Sequence, residues 1–151
     1  MATSTLKLGY WPYGGLCQPI RMLLHLLKAD YENIIYSVED DSHWQEAKKK
    51  LTQEGSHLLN LPYLQDGETI ISESAAIPHY LCHKFNRADL FGKTNLDTTR
   101  LLELNSALYD LYKAMMAATF SKTKDPKDHL EEFLKEDGKA GNLIRRLAAY
   151  L

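Results

Sequence analysis

Leu8-Gly9-Tyr10-Trp11-Pro12-Tyr13-Gly14-Gly15-Leu16-Cys17-Gln18-Pro19-Ile20-Arg21 is the stretch that decides the fold. From Leu6 to Tyr10 apolar and polar residues alternate, which predicts a strand. Pro12 and Gly14-Gly15 break it. Pro19 suits the first turn of a helix, where its missing N–H costs nothing. Ile20, Leu23, Leu24 and Leu27 then recur at helical spacing, so a helix runs to about Ala29. A strand that bends tightly into a helix holds the Tyr10 hydroxyl beside the positive end of that helix. Such a place suits a small anion.

Working outward, Tyr31 to Val38 is rich in β-branched and aromatic residues and predicts a second strand. Asp41-Ser42 is the expected cap of a charged helix through Trp44 and Lys48 to about Gln53, ended by Gly55. Pro62 precedes a third strand, Tyr63-Leu64-Gln65. Asp66-Gly67 signals a hairpin, and Glu68 to Ile71 completes it. Ser72 or Ser74 is the expected cap of a helix carrying Ile77, Tyr80, Leu81 and Phe85. The order βαβαββα within about 80 residues predicts an α/β sandwich, with a four-stranded mixed sheet, parallel crossovers and one antiparallel hairpin.

Residues 86–95 read as a polar linker, and the pattern changes after them. Leu101, Leu104, Leu108, Leu111 and Met115 alternate at spacings of three and four, one apolar stripe on a long helix. Asp125-Pro126 starts another helix with Leu130, Phe133 and Leu134, which Gly138 and Gly141 interrupt. Leu143, Ile144, Leu147, Ala148 and Leu151 make a last amphipathic turn or two. The expected domains are therefore residues 1–85 (α/β), a linker at 86–95, and residues 96–151 (all-helical).

A net charge of −2 supplies no basic field, which argues against nucleic acid and against a polybasic membrane contact. No apolar run approaches the roughly 20 residues of a membrane span. Two cysteines without motif spacing, behind an N-terminus with no signal-like pattern, fit reduced thiols in the cytoplasm. His79 and His83 are four apart but have no third ligand nearby, so no metal site is expected. Cys17, at a helix start, is an alternative redox centre, though it has no Cys-x-x-Cys partner.

Two blocks carry a resemblance. Leu8-Gly9-Tyr10-Trp11 … Gly15-Leu16 … Ile20-Arg21 and Asn60-Leu61-Pro62-Tyr63-Leu64 … Asp66-Gly67 … Glu73-Ser74-Ala75-Ala76-Ile77 resemble the thioredoxin-like domain of cytosolic glutathione S-transferases. They look most like the mu class, with sigma-type enzymes a looser fit. The resemblance implies a thioredoxin-like N-terminal domain followed by a helical C-terminal domain that is truncated relative to the family. It implies a transferase that conjugates reduced glutathione to hydrophobic electrophiles, as in detoxification. Glutathione is then a co-substrate, no cofactor is needed, and the protein is a homodimer. The alternatives are a glutathione-binding or scaffold protein with little catalysis, and a glutathione-dependent isomerase of sigma type.

By the same resemblance Tyr10 is the catalytic hydrogen-bond donor to the thiolate. A free thiol has a pKa of about 8.5, and one charge-assisted bond of roughly 1.5–3 kcal/mol lowers it by about one to two units. Tyr13 is a lesser competitor. The resemblance implies that Trp44 and Lys48 bind the glycyl carboxylate, with Lys49 and Lys50 as rivals to Lys48. Asn60 contacts the peptide near the glycine. Leu61, before a cis Pro62, exchanges backbone bonds with the cysteinyl residue. Glu73 and Ser74 take the γ-glutamyl end, and Trp11 and Leu16 line the site. The electrophile pocket is expected from Trp11, Leu16, Tyr109, Tyr112 and Met115, with Met116 nearby. Arg21 is expected to be structural.

Overall fold

Alternation along β1 (Leu6–Tyr10) sends Leu6, Leu8 and Tyr10 to one face of a sheet and Gly9 to the other. β1 pairs in parallel with β2 (Tyr31–Ile35) and antiparallel with β3 (Tyr63–Asp66), which pairs with β4 (Thr69–Ser72). The strand order is β2-β1-β3-β4. The mixed sheet is as expected, but only β1–β2 is joined by a parallel crossover. The hairpin loop is Gly67-Glu68, not Asp66-Gly67, because Asp66 still pairs with Thr69. Gly67 takes φ 60° at the first loop position, as a type II′ turn requires. This computed structural model describes residues 5–120, 125–135 and 137–150.

Two layers cover the sheet. On one face, Leu6, Leu8, Tyr10 and Leu64 pack with Ile20 and Leu24 of α1 (Gln18–Leu26) and with Ile77 and Leu81 of α3 (Ala76–Lys84). On the other, Tyr63 packs with Tyr36 and Leu59 and with Trp44 and Leu51 of α2 (Ser42–Gln53). Tyr63 and Leu64 are neighbours in sequence and serve opposite faces, which is the period of a strand.

α1 stops at Leu26, short of the expected Ala29. Lys28 adopts φ 52°, its N–H bonds to the His25 carbonyl, and the Ala29 N–H bonds to the Leu24 carbonyl. This is the Schellman ending. α2 ends the same way with Gly55 at φ 105°, and α3 with Asn86 at φ 55°. Glycine announces such an ending in sequence, but a lysine does not. β2 is likewise shorter than Tyr31–Val38, since regular pairing ends at Ile35 with one further bond from Tyr36 N–H to the Tyr10 carbonyl.

By its internal contacts the chain divides into Met1–Leu90 and Phe91–Leu151. The second unit holds α4 (Asn95–Thr119), α5 (Pro126–Leu134) and α6 (Lys139–Tyr150). α4 starts in a capping box: Thr94 Oγ1 accepts from the Asp97 N–H, and the Asp97 carboxylate accepts from the Thr94 N–H. Asp125 caps α5 ahead of Pro126, as expected.

The expected single stripe of α4 is split. Leu104 and Leu111 are half-buried together with Ala107 and Ala114, and Ala118 is buried. Leu101, Leu108 and Met115 lie on the adjacent row and are each more than one-third exposed. A three-four spacing marks two neighbouring rows, and the row with alanines allows the closer helix approach. α6 runs unbroken through Gly141, longer than the turn or two expected. Leu151 lies outside the described residues.

Candidate functional site

The sheet's register gathers three segments at one end. Gly9 is opposite Tyr63, and Tyr63 is opposite Ser72. The exit of β1 (Tyr10, Trp11), the approach to β3 (Asn60, Leu61, Pro62) and the exit of β4 (Glu73, Ser74) are therefore neighbours. Trp11 and Leu61 each pack against both core clusters, marking where the two faces meet.

Tyr10 is 4% exposed, and its hydroxyl lies at the start of the 3₁₀ turn Gly15–Cys17 that leads into α1. The Leu16 N–H donates to the Tyr10 hydroxyl oxygen at 3.2 Å. A Cβ on Gly15 would stand 2.7 Å from that oxygen, and Gly15 adopts φ 43°. Glycine is therefore needed twice at this position, for conformation and for space. The Gly14-Gly15 pair marks a break in the sequence, but the close approach of the Tyr10 oxygen to Gly15 has no local signal. Tyr13 sets its ring edge-on to Tyr10, with centroids 5.9 Å apart, and is itself 48% exposed.

Arg21 reaches back from α1 to the same loop. Its guanidinium donates to the Tyr13 carbonyl at 3.1 Å and to that of Trp11 at 3.5 Å. Its Nε is buried without a partner. These contacts make Arg21 a brace for the bend. Cys17 is fully buried, and burial raises its thiol pKa to about 11. Burial and a raised pKa both argue against the redox alternative, since the reactive species is an accessible thiolate.

On the second segment the Leu61–Pro62 bond is cis. The Asn60 N–H donates to Ser72 Oγ at 3.3 Å, and the Leu61 N–H to Asn60 Oδ1 at 2.9 Å. Neither Ser72 nor Ser74 caps α3. The N-cap is Ala75, and Ser72 is engaged with Asn60 instead. Glu73 holds φ 74°, a costly conformation for a residue with a side chain. Its carbonyl accepts from the N–H groups of Ala76 and Ile77. That strain fixes the direction in which Glu73 and half-buried Ser74 leave β4.

On α2, Trp44 and Lys48 stand one turn apart, with the Lys48 ammonium 5.7 Å from the Trp44 ring centroid. Trp44 is 5% exposed and sits in the second core cluster. Lys48 is half-buried, whereas Lys49 and Lys50 are exposed. Tyr109, Tyr112 and Met115 belong to α4. There Tyr109 and Tyr112 stack with centroids 6.4 Å apart, and Tyr109 is 45% exposed. A surface depression of about 600 Å³ runs along α1 by Gln18, Arg21, Met22 and Leu26, and none of the expected site residues lines it.

Residues 8–89 match the family described as Glutathione S-transferase, N-terminal domain. The chain is 34% identical over 116 residues to the "Glutathione S-transferase class-mu 26 kDa isozyme" of Schistosoma mansoni, covering 77% of this chain and 56% of that protein. It is 37% identical over 119 residues to "Glutathione S-transferase Mu 1" of Bos taurus, covering 76% and 52%. The chain thus spans about half the length of these curated relatives. The fold matches that of rat hPGDS solved with a quinoline, with TM-score 0.75 and 23% identity, covering 97% of this chain and 67% of that one. It also matches a Fasciola hepatica sigma class enzyme, with TM-score 0.73 and 20% identity, covering 94% and 64%.

A thioredoxin-like α/β unit followed by helices is the architecture these observations define. The chain belongs to the glutathione S-transferase family, and within it is mu-like. No helix among the described residues is long and apolar enough to cross a membrane.

Proposed function

We propose that this chain binds reduced glutathione and ionises its thiol with the Tyr10 hydroxyl, for conjugation to hydrophobic electrophiles. One observation carries the reading: the Tyr10 oxygen accepts the Leu16 N–H at the strand-to-helix bend. Electron density drawn toward that N–H makes the phenol O–H a stronger donor to a thiolate. A phenol with an ordinary pKa near 10 remains protonated at neutral pH and able to donate. The sulfur then attacks the electrophilic carbon and the leaving group departs with its bonding electrons. The thiol proton goes to solvent.

Each end of the tripeptide has a partner in this reading. Glu73 and Ser74 take the γ-glutamyl end. Leu61 offers its backbone to the cysteinyl residue once its N–H leaves Asn60, and Asn60 turns toward the glycyl end. Trp44 and Lys48 hold the glycyl carboxylate, and the half-buried position of Lys48 favours it over its two neighbours. Trp11 and Leu16 line the thiol. They are also assigned to the side from which the hydrophobic acceptor approaches. The working form is a cytoplasmic homodimer, as its mu-like membership suggests.

The test is Tyr10→Phe. Binding of glutathione stays within about threefold, while conjugation of a reactive aryl halide falls tenfold or more, about 1.4 kcal/mol in the barrier. The thiolate absorbance of bound glutathione shifts to higher pH. Wild-type turnover in Tyr10→Phe removes the assigned role. Saturable glutathione binding by the unaltered chain without conjugation supports the scaffold reading instead.

A further inference from the structure

The face of the sheet away from α1 and α3 contains a polar contact that the reaction does not use. The hydroxyls of Tyr36 and Tyr63 meet at 2.8 Å, and either one can donate. Both residues are buried, at 6% and 2% exposure. Tyr36 follows β2, and Tyr63 opens β3. The bond ties together segments separated by the whole of β1 in the sheet order.

Three rings converge there. Trp44 stacks on Tyr63 with centroids 6.2 Å apart and planes at 16°, and it leans on Tyr36 at 5.3 Å. Tyr63 in turn lies against Gly9, where a Cβ would come within 2.1 Å of its ring. So β1 supports Tyr63, Tyr63 and Tyr36 clasp each other, and together they form the bed of the Trp44 indole. The Lys48 ammonium stands 5.7 Å from the centroid of that indole. Burial raises the pKa of both phenols above the ordinary tyrosine value, so the pair is neutral at neutral pH.

We propose that the Tyr36–Tyr63 hydroxyl pair is a positioning element for the carboxylate-binding edge of α2: it fixes the plane of Trp44 and, through it, the reach of Lys48 toward the glycyl end of the tripeptide. The inference rests on the assignment of Trp44 and Lys48 under the proposed function. A buried hydrogen bond of this kind contributes stability as well, so a loss of stability alone does not identify its role. The two effects separate through the double variant. Removing one hydroxyl leaves the other buried and unsatisfied, whereas removing both is close to neutral for stability.

The experiment is calorimetric titration of the full chain with glutathione and with γ-glutamylcysteine, which lacks the glycyl carboxylate. The proteins are the unaltered chain, Tyr36→Phe, Tyr63→Phe, the double Phe variant, and Tyr80→Phe as a control in a separate hydrogen bond to Asp66. The unaltered chain prefers glutathione at least tenfold. The double variant melts near the unaltered chain, yet its preference falls to threefold or less. Its affinity for γ-glutamylcysteine and the pH dependence of bound thiolate absorbance do not change. Tyr80→Phe keeps the preference.

A double variant that retains the full preference overturns the proposal. So does one that weakens both ligands by the same factor, which marks the pair as a general scaffold contact. If the unaltered chain itself shows no preference, the Trp44–Lys48 assignment fails first, and the proposal falls with it.

Discussion

The two units of this chain bury their apolar residues very differently. In the α/β unit, Leu8, Ile20, Leu24, Leu64, Ile77 and Leu81 are fully buried, and two clusters close both faces of one sheet. In the helical unit the buried apolar residues among those described are Ala118 and Ala140, while Leu102, Leu108, Tyr109, Phe120 and Ile144 are all more than two-fifths exposed. A sheet with helices on each side hides large side chains from water on two fronts, whereas the three helices, each touching the other two, fully enclose only small side chains. The difference teaches where a closed, rigid core resides. Every group proposed to touch glutathione comes from the unit with the closed core.

Matched truncations should show the contrast most strongly. Leu24→Ala removes a fully buried side chain and is expected to cost about 2–5 kcal/mol. Leu108→Ala, at 46% exposure, is expected to stay within about 0.5 kcal/mol. Denaturant unfolding of both variants compares them directly, and equal losses would break the distinction.

Hydrogen exchange sharpens the same comparison without mutation. Amides of β1 and β3 are expected to exchange at least tenfold more slowly than those of α6, because opening the sheet exposes both core clusters at once. Comparable protection in α6 would place a second closed core in the helical unit. A chemical version uses the thiols. Burial raises the pKa of both Cys17 and Cys82, so a disulfide reagent should label neither at neutral pH until the α/β unit is unfolded. Prompt labelling of Cys17 in the native protein would reopen its redox role.

Smaller effects belong to the cap of α4. Thr94→Ala is expected to lower stability by about 1 kcal/mol. Backbone N–H groups of Lys93 and Thr94 hold the Asp97 carboxyl below its usual range. A lowered folded-state pKa contributes stability that is fully present above the ordinary carboxylate value of about 4 and is lost as pH falls through the folded-state value. Asp97→Asn should therefore flatten the acid limb of a stability profile below about pH 4. An unchanged acid limb in that variant would assign the loss to other carboxylates.

The order of elements was legible because each rests on local chemistry: alternation in Leu6–Tyr10, helical spacing from Ile20 to Leu27, Pro126 behind Asp125. The Thr94-x-x-Asp97 signature is also present in the sequence, straddling the end of the expected linker at residue 95, and it marks the start of α4. Other features were not legible. Lys28 ends α1 in a conformation that its side chain disfavours, held by bonds to His25 and Leu24. Ser72 looks like a helix cap until Asn60, twelve residues away in the chain, takes its hydroxyl. The α4 stripe splits because spacing alone does not say which of two adjacent rows meets a neighbour.

By itself the sequence determined the α/β order, the strand-to-helix bend that follows Tyr10, and the placing of Trp44 and Lys48 one helix turn apart. These depend on contacts within a few residues. Only the tertiary structure decided that Gly15 leaves room for the Tyr10 oxygen, that Arg21 braces the bend, that Cys17 is sealed from solvent, and that Tyr36 and Tyr63 join beneath Trp44. Each of those is a meeting of side chain and backbone brought together by the sheet and its helices, and no local pattern encodes where a distant partner will stand.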